Sequence, residues 1–205
     1  MIAIVNYGLG NIRAFANVLK QLNVPHLIAE TREDLLKAHK LILPGVGAFD
    51  HAMGLLSLSG MRETLDELVL EKRLPVLGIC VGMQLLAESS EEGELPGLGW
   101  IPGRVNKLHT ENISGKTKLP HMGWNLVCPE RDHSLFNDLP YEARFYFLHS
   151  YYFECADPFH SIATTGYGTS FSSAVSAGNI HGVQFHPEKS HENGILILKN
   201  FSELN

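Results

Sequence analysis

Short apolar runs rich in Ile, Val and Leu alternate with amphipathic stretches through the first half of this chain, and nothing else in the sequence narrows the fold as much. Residues 2–5, 41–43 and 76–79 read as strands, whereas 12–22 and 61–70 carry apolar residues at helical spacing. Alternation of this kind predicts parallel strands joined by crossover helices.

Beyond Gly97 the texture changes. Segments 126–128, 145–153 and 162–164 are short and separated by Gly, Pro, Asn and Asp. They are expected to add antiparallel or mixed strands to the same sheet, followed by a last strand at 180–185 and a closing helix at about 193–201. With 205 residues, 44% of them hydrophobic and 19% charged, the chain can bury one substantial core. The expectation is one α/β domain over 1–205, with a mostly parallel central sheet, flanking helices and an antiparallel or mixed extension.

Composition excludes several partners. The formal net charge is -6, and the 16 Lys and Arg form no runs, so no footprint for a nucleic-acid backbone is present. The start, Met1-Ile2-Ala3-Ile4-Val5-Asn6, lacks the basic flank and long apolar run of a signal peptide, and no stretch is apolar enough to span a bilayer. A cytoplasmic protein is expected. Cys80, Cys128 and Cys155 lie too far apart for a disulfide framework or paired CxxC zinc knuckles, which leaves room for a working thiol.

The thiol to single out is Cys80. Gly78-Ile79-Cys80-Val81-Gly82 is G-x-C-x-G in the place of the G-x-S-x-G nucleophile elbow, between a strand and a helix. Small flanking residues allow a strained turn that exposes the sulfur, and a helix N-terminus behind it favours a thiolate. Cys128 and Cys155 lack such flanks and read as ordinary packing cysteines.

A base follows near the C-terminus, in Gln184-Phe185-His186-Pro187-Glu188-Lys189-Ser190. Pro187 restricts His186 to extended geometry, and residues two apart in an extended chain share a side. Glu188 then orients one imidazole nitrogen while the other faces Cys80, completing a nucleophile, base and orienter triad. The H-x-E of zinc deaminases is the competing reading, but it needs a later P-C-x-x-C that is absent. Zinc held by His186 and His191 lacks an H-E-x-x-H, so no metal is assigned.

Acyl transfer also needs oxyanion donors. One is expected from the N–H of Val81, and a second from the loop Pro44-Gly45-Val46-Gly47, whose glycines let the backbone turn its amides inward. Gly8-Leu9-Gly10-Asn11-Ile12-Arg13 has Arg13 where a dinucleotide fingerprint needs its third glycine, so no nucleotide cofactor is assigned.

With these residues in place, the chain resembles the class I (triad) glutamine amidotransferases over nearly its whole length. It is most similar to the glutaminase subunits of imidazole glycerol phosphate synthase, through 6–11, 44–49, 78–86, Pro120-His121-Met122-Gly123-Trp124-Asn125 and 184–190. The resemblance implies that Cys80 attacks glutamine, that a thioester is hydrolysed to glutamate, and that ammonia is channelled to a synthase, with His186 and Glu188 completing the triad. It further implies that Gln84 and the backbone of His149, Ser150 and Tyr151 hold glutamine, with Gly47 near its amide and Val46 as a movable oxyanion donor. The implied partner is a barrel cyclase, joined in a heterodimer, that uses the ammonia to make imidazole glycerol phosphate and aminoimidazole carboxamide ribotide in histidine biosynthesis. Asn11, Met122, Trp124, Tyr146 and Lys189 are the implied interface, although residue type alone would put Trp124 in a core.

Other class I glutaminases, of the anthranilate, aminodeoxychorismate or guanylate type, usually carry a Pro-Gly-Pro-Gly-like loop where this chain has Pro44-Gly45-Val46-Gly47. A non-catalytic relative would be expected to have lost the nucleophile or its base. A free-standing cysteine hydrolase differs only in needing no partner.

Overall fold

A computed structural model describes residues 1–109, 111 and 118–204. The first half runs β1 (Ile2–Val5), α1 (Ile12–Gln21), β2 (His26–Ala29), α2 (Arg32–Leu35), β3 (Lys40–Gly45), α3 (Phe49–Leu58), α4 (Arg62–Asp66), β4 (Val76–Cys80) and α5 (Val81–Gln84). All four residues of β1 and all five of β4 are buried, as expected of strands covered on both faces by crossover helices. On α1, Phe15 and Leu19 form the buried stripe, with Ile12, Ala16 and Leu22 packed at its margins. The predicted helix at 61–70 begins as α4 and continues as a π-helical turn over Glu67–Glu71.

The second half contributes β5 (Ser89–Ser90), β6 (Gly103–Lys107), β7 (His121–Leu126), β8 (Cys128–Pro129), β9 (Arg144–His149), β10 (Tyr151–Cys155), β11 (Ser161–Tyr167), β12 (Thr169–Ala177), β13 (Ile180–Val183) and α6 (His191–Glu203). The main sheet has the order β2-β1-β3-β4-β13-β12-β10-β6-β5, with β11 and β8 attached beside β12. It is parallel from β2 through β13 and turns antiparallel at β12, β10 and β6. The expected mostly parallel sheet with an antiparallel extension is therefore present.

Three details differ from the sequence reading. Segment 126–128 breaks at Val127, between the end of β7 and the start of β8, which lie in different sheets. Segment 145–153 is not one strand: it breaks at Ser150 into β9 and β10. In addition, β9 does not join the main sheet but pairs with β7 in a separate two-stranded ribbon. The break lets the chain step from the ribbon into the main sheet, and that step passes over the carboxyl ends of β3, β4 and β13, where Gly45, Cys80 and the chain leading to His186 meet. Among the described residues, no helix is long and apolar enough to cross a membrane.

Candidate active site

Cys80 ends β4 in a conformation that L side chains rarely adopt, with φ 57° and ψ −114°. Its flanking glycines are there because nothing else fits. A Cβ on Gly82 would lie 1.9 Å from the carbonyl oxygen of Leu43, one on Gly45 would lie 2.4 Å from the Gly82 nitrogen, and one on Gly78 would lie 2.6 Å from the Gly82 oxygen. Backbone meets backbone at all three, so the turn closes tightly against the end of β3. The helix behind the elbow, α5, is only four residues long, which weakens the expectation that its N-terminal field carries the sulfur's charge. The nearby charge that can do so is on His186.

His186 follows β13 and is held in place by backbone. Its N–H donates to Tyr146 O at 2.9 Å, and its own carbonyl accepts from Ser190 Oγ at 2.6 Å, while that hydroxyl accepts from Tyr146 N at 3.0 Å. The residue is extended, at φ −101° and ψ 95°, as the following proline requires. The chain then turns: Pro187–Lys189 form a 3₁₀ turn, not the extended run expected, and it is this turn that brings Glu188 back. Glu188 Oε1 lies 3.0 Å from His186 Nδ1, and the two side chains are 1% and 4% exposed. Burial, the largest influence on the imidazole, works against its charge, but hydrogen bonds to Cys80 and Glu188 together with their charges carry its pKa up to about 10. A charged imidazolium thus sits between the sulfur and the carboxylate.

A cleft of about 300 Å³ opens over the sulfur. Cys80, His186, Val46, Gly47, Val81, Gln84, His149, Ser150, Tyr151 and Lys189 all line it, so the sequence-predicted nucleophile, base, oxyanion and substrate residues share one concavity. Gln84 is buried and gives its amide N–H groups to Tyr151 O at 2.9 Å and Gln184 Oε1 at 3.0 Å. Both of its donors are thereby used, and its remaining capacity is that of an acceptor.

Three residues of the site carried no sequence signal strong enough to single them out. Glu92 lines the cleft, with Oε2 accepting from Phe49 N at 2.9 Å. Gln184, fully buried, directs Nε2 at Cys80 Sγ at 3.8 Å while accepting from Gln84. Tyr7 donates its hydroxyl to Pro44 O at 2.8 Å and so braces the strand end that precedes Val46; burial and the Cys80 charge hold its phenol well above the usual range. The glycine loop after β1 therefore supports the Pro44–Gly45 turn, and Gly10 is needed there because a Cβ would meet Pro44 Cβ at 2.7 Å.

Of the residues expected at an interface, Lys189 lines the cleft. Met122 and Trp124 are 65% and 43% exposed, which overturns the residue-type reading of Trp124 as core. Trp124 stacks on His191 with ring centroids 5.1 Å apart and meets Tyr146 edge-on at 6.3 Å. The Lys189 ammonium sits 5.6 Å from the centre of the Tyr146 ring, so this aromatic surface runs to the rim of the cleft. Asn11 is exposed at the start of α1.

The family profile "Glutamine amidotransferase class-I" matches residues 3–203. A protein of Bdellovibrio bacteriovorus called "Imidazole glycerol phosphate synthase subunit HisH" is 59% identical over 206 residues, covering all of both chains. A protein of the same name from Leptospira interrogans is 52% identical over 204 residues, again covering all of both. Among solved structures, one described as a glutamine amidotransferase superposes with a TM-score of 0.74 at 20% identity, covering 98% of each chain. A putative GMP synthase protein from Thermoplasma acidophilum superposes at 0.72 and 24% identity, covering 98% of this chain and 91% of its own. The expected fold is thereby borne out, and with it the expected family: the chain belongs to the class-I glutamine amidotransferases, within the HisH subunits of imidazole glycerol phosphate synthase.

Proposed function

We propose that this chain hydrolyses L-glutamine through Cys80, His186 and Glu188 and passes the ammonia to a barrel cyclase subunit in an imidazole glycerol phosphate synthase of histidine biosynthesis. The observation that carries the reading is Cys80 on its strained elbow facing an imidazolium that Glu188 orients inside a cleft.

The thiolate of Cys80 adds to the side-chain amide carbon of glutamine. The oxyanion that forms is met by the N–H of Val81 and by an amide of the Val46–Gly47 loop, whose open surroundings and φ of +87° at Gly47 permit reorientation. His186 protonates the departing nitrogen, ammonia leaves, and a thioester remains. The now neutral imidazole takes a proton from water, which attacks the thioester and releases glutamate. Glu188 keeps His186 in one tautomer and stabilises its charge. In the cleft, Glu92 is the group suited to the substrate's α-ammonium, and Gln84 with the His149, Ser150 and Tyr151 backbone holds the rest.

Free ammonia would be lost to solvent, so a partner must cover the cleft. The exposed Met122 and Trp124, with Asn11, Tyr146 and Lys189, are the surface proposed to meet the cyclase in a cytoplasmic heterodimer. Glutamate release by the chain alone, and with a barrel cyclase plus its ribotide ligand, tests this reading. A large rise on adding both supports it; equal rates throughout favour an independent hydrolase. Cys80→Ala or His186→Ala is expected to abolish glutamine-dependent synthesis while leaving synthesis from added ammonium salts intact.

A further inference from the structure

We propose that His121 is a positioning residue for glutamine binding, which holds His149 in the one tautomer that clamps the strap 148–151 against the cleft. The proposal rests on the glutaminase reading above and adds to it a residue outside the cleft lining.

The strap needs a clamp because it bridges two sheets, with Leu148 and His149 ending one strand, Tyr151 starting the next, and Ser150 in neither. Here the chain leaves β9 in the two-stranded ribbon and enters β10 in the main sheet, so ladder bonds end on both sides of Ser150. Leu148, His149, Ser150 and Tyr151 nevertheless line the cleft. Two side chains bind the strap's last carbonyl, Tyr151 O: Gln84 Nε2 at 2.9 Å and His149 Nδ1 at 2.8 Å.

The direction of every proton in this network follows from its ends. Tyr151 O can only accept, so His149 carries its hydrogen on Nδ1, and its Nε2 is bare when the ring is neutral. His121 Nδ1 lies 3.0 Å from that Nε2 and must donate to it. His121 Nε2 is then bare in turn, and Asn125 Nδ2 donates to it at 3.2 Å. The Asn125 amide cannot be reversed, because its Oδ1 accepts from Leu126 N at 2.8 Å and its Nδ2 also donates to Gly166 O at 2.9 Å. Both rings are buried, at 3% and 6% exposure, and burial holds both well below the usual histidine range, so both are neutral at neutral pH. A proton added to either ring would set two donors face to face.

His121 is itself locked by stacking between Phe147, at 4.8 Å and 21°, and Tyr167, at 4.0 Å and 20°. Packing and hydrogen bonding therefore make separable contributions at one position. His121→Phe keeps an aromatic ring in the stack and removes the donor. His121→Asn removes the ring and keeps an N–H close to the place of Nδ1. Without the donor, His149 is free to move its proton to Nε2, and its bare Nδ1 would then oppose the Tyr151 carbonyl.

Two measurements test the proposal. In the complex with its synthase partner, steady-state glutaminase kinetics of His121→Phe are expected to show a loss in kcat/KM of about tenfold, the size of one hydrogen bond, carried mainly by KM. His121→Asn is expected to stay near wild type even where its thermal stability falls. In the isolated wild-type chain, long-range ¹⁵N–¹H correlation is expected to find the His149 proton on Nδ1, and in His121→Phe a mixture of tautomers. The proposal is overturned by a wild-type proton on His149 Nε2, by an unchanged KM in His121→Phe, or by equal losses in both variants. A wild-type complex that releases no glutamate would sink the glutaminase reading instead, and the His149 tautomer would still decide whether the latch exists.

Discussion

Glu188 binds His186 Nδ1 through Oε1 at 3.0 Å, while its other oxygen is buried with no hydrogen-bond partner among the described residues. The carboxylate thus has the imidazolium as its one observed counterpart, and its charge acts there. Replacing Glu188 with Gln keeps an acceptor for Nδ1 and removes the charge. His186 should then release its proton at lower pH, because burial, which already opposes the charge, meets less opposition. Glutaminase kcat/KM is expected to fall by roughly 10²-fold, within the range typical of general acid–base groups. The basic limb of its pH profile should move to lower pH. An unchanged basic limb would show that Glu188 does not set the protonation of His186.

Glu92 offers a sharper test of how the cleft recognises its substrate. The carboxylate is anchored by Phe49 N at 2.9 Å and lines the same cleft as Cys80. If it binds the α-ammonium of glutamine, Glu92→Gln removes the charge and leaves the anchor. KM for glutamine should rise by about tenfold or more with kcat changed much less, as for a contact made equally in the ground and transition states. A variant with an unchanged KM would move ammonium recognition elsewhere.

The elbow was legible in the sequence because steric demand leaves few choices: Gly45, Gly78 and Gly82 each face backbone within 2.6 Å of where a Cβ would be. The buried parallel strands were legible for a similar reason, since burial on both faces demands continuous apolar runs. Glu92 was not legible. Its loop is shaped by a residue far away in sequence, Asp50, whose carboxylate accepts from Glu94 N at 2.9 Å and Leu95 N at 3.1 Å, and no local pattern records that. β7 was not legible either, for a different reason. It turns Met122 and Trp124 outward and buries His121, the inverse of what residue type suggests, because the inward polar groups are hydrogen-bonded in a chain. Residue type alone assigns Trp124 wrongly there. The Glu188 approach was anticipated, but through extended backbone where a 3₁₀ turn does the work.

The glycines separate strain from helix propensity. Gly82→Ala would drive a methyl group to 1.9 Å from Leu43 O, and neither backbone can withdraw without moving Cys80. A loss of about 3 kcal/mol or more is expected, at the upper end for overpacking. In a chain of this size that lowers the unfolding midpoint by roughly 6–12 °C. Gly54, inside α3, has no atom within 4 Å of its would-be Cβ. Gly54→Ala should therefore stabilise the chain by about 0.5–1 kcal/mol, since alanine is the better helix former. Thermal unfolding of the two variants checks both signs, and a Gly82→Ala variant as stable as wild type would mean that the elbow relaxes more easily than its contacts allow.

Buried neutral histidines set the acid limit of the fold. Burial depresses His149 to about 3 and His181 to about 4, and His121 likewise to about 4. His181 donates to or accepts from Ser176 Oγ at 3.0 Å, and Ser176 Oγ lies 3.2 Å from His133, whose ring is also shifted down by burial and by the Arg131 charge. In the unfolded chain His121, His149 and His181 take up protons near pH 6.5, whereas in the folded chain they do so only near pH 3–4. Between those values the unfolded state binds more protons, so stability must rise with pH and fall on acidification. His149 and His181 each contribute a slope of up to roughly 1.4 kcal/mol per pH unit across that window. Urea unfolding at pH 6.5, 5.5 and 5.0, below the range in which the raised pKa of His186 acts with the opposite sign, should show midpoints that decline with acidification, and His181→Phe, which cannot be protonated, should flatten the decline. A wild-type midpoint constant from pH 6.5 to 5.0 would mean that these rings accept protons in the folded state as readily as in the unfolded one, and the neutral His121–His149 pairing would then have to be abandoned with them.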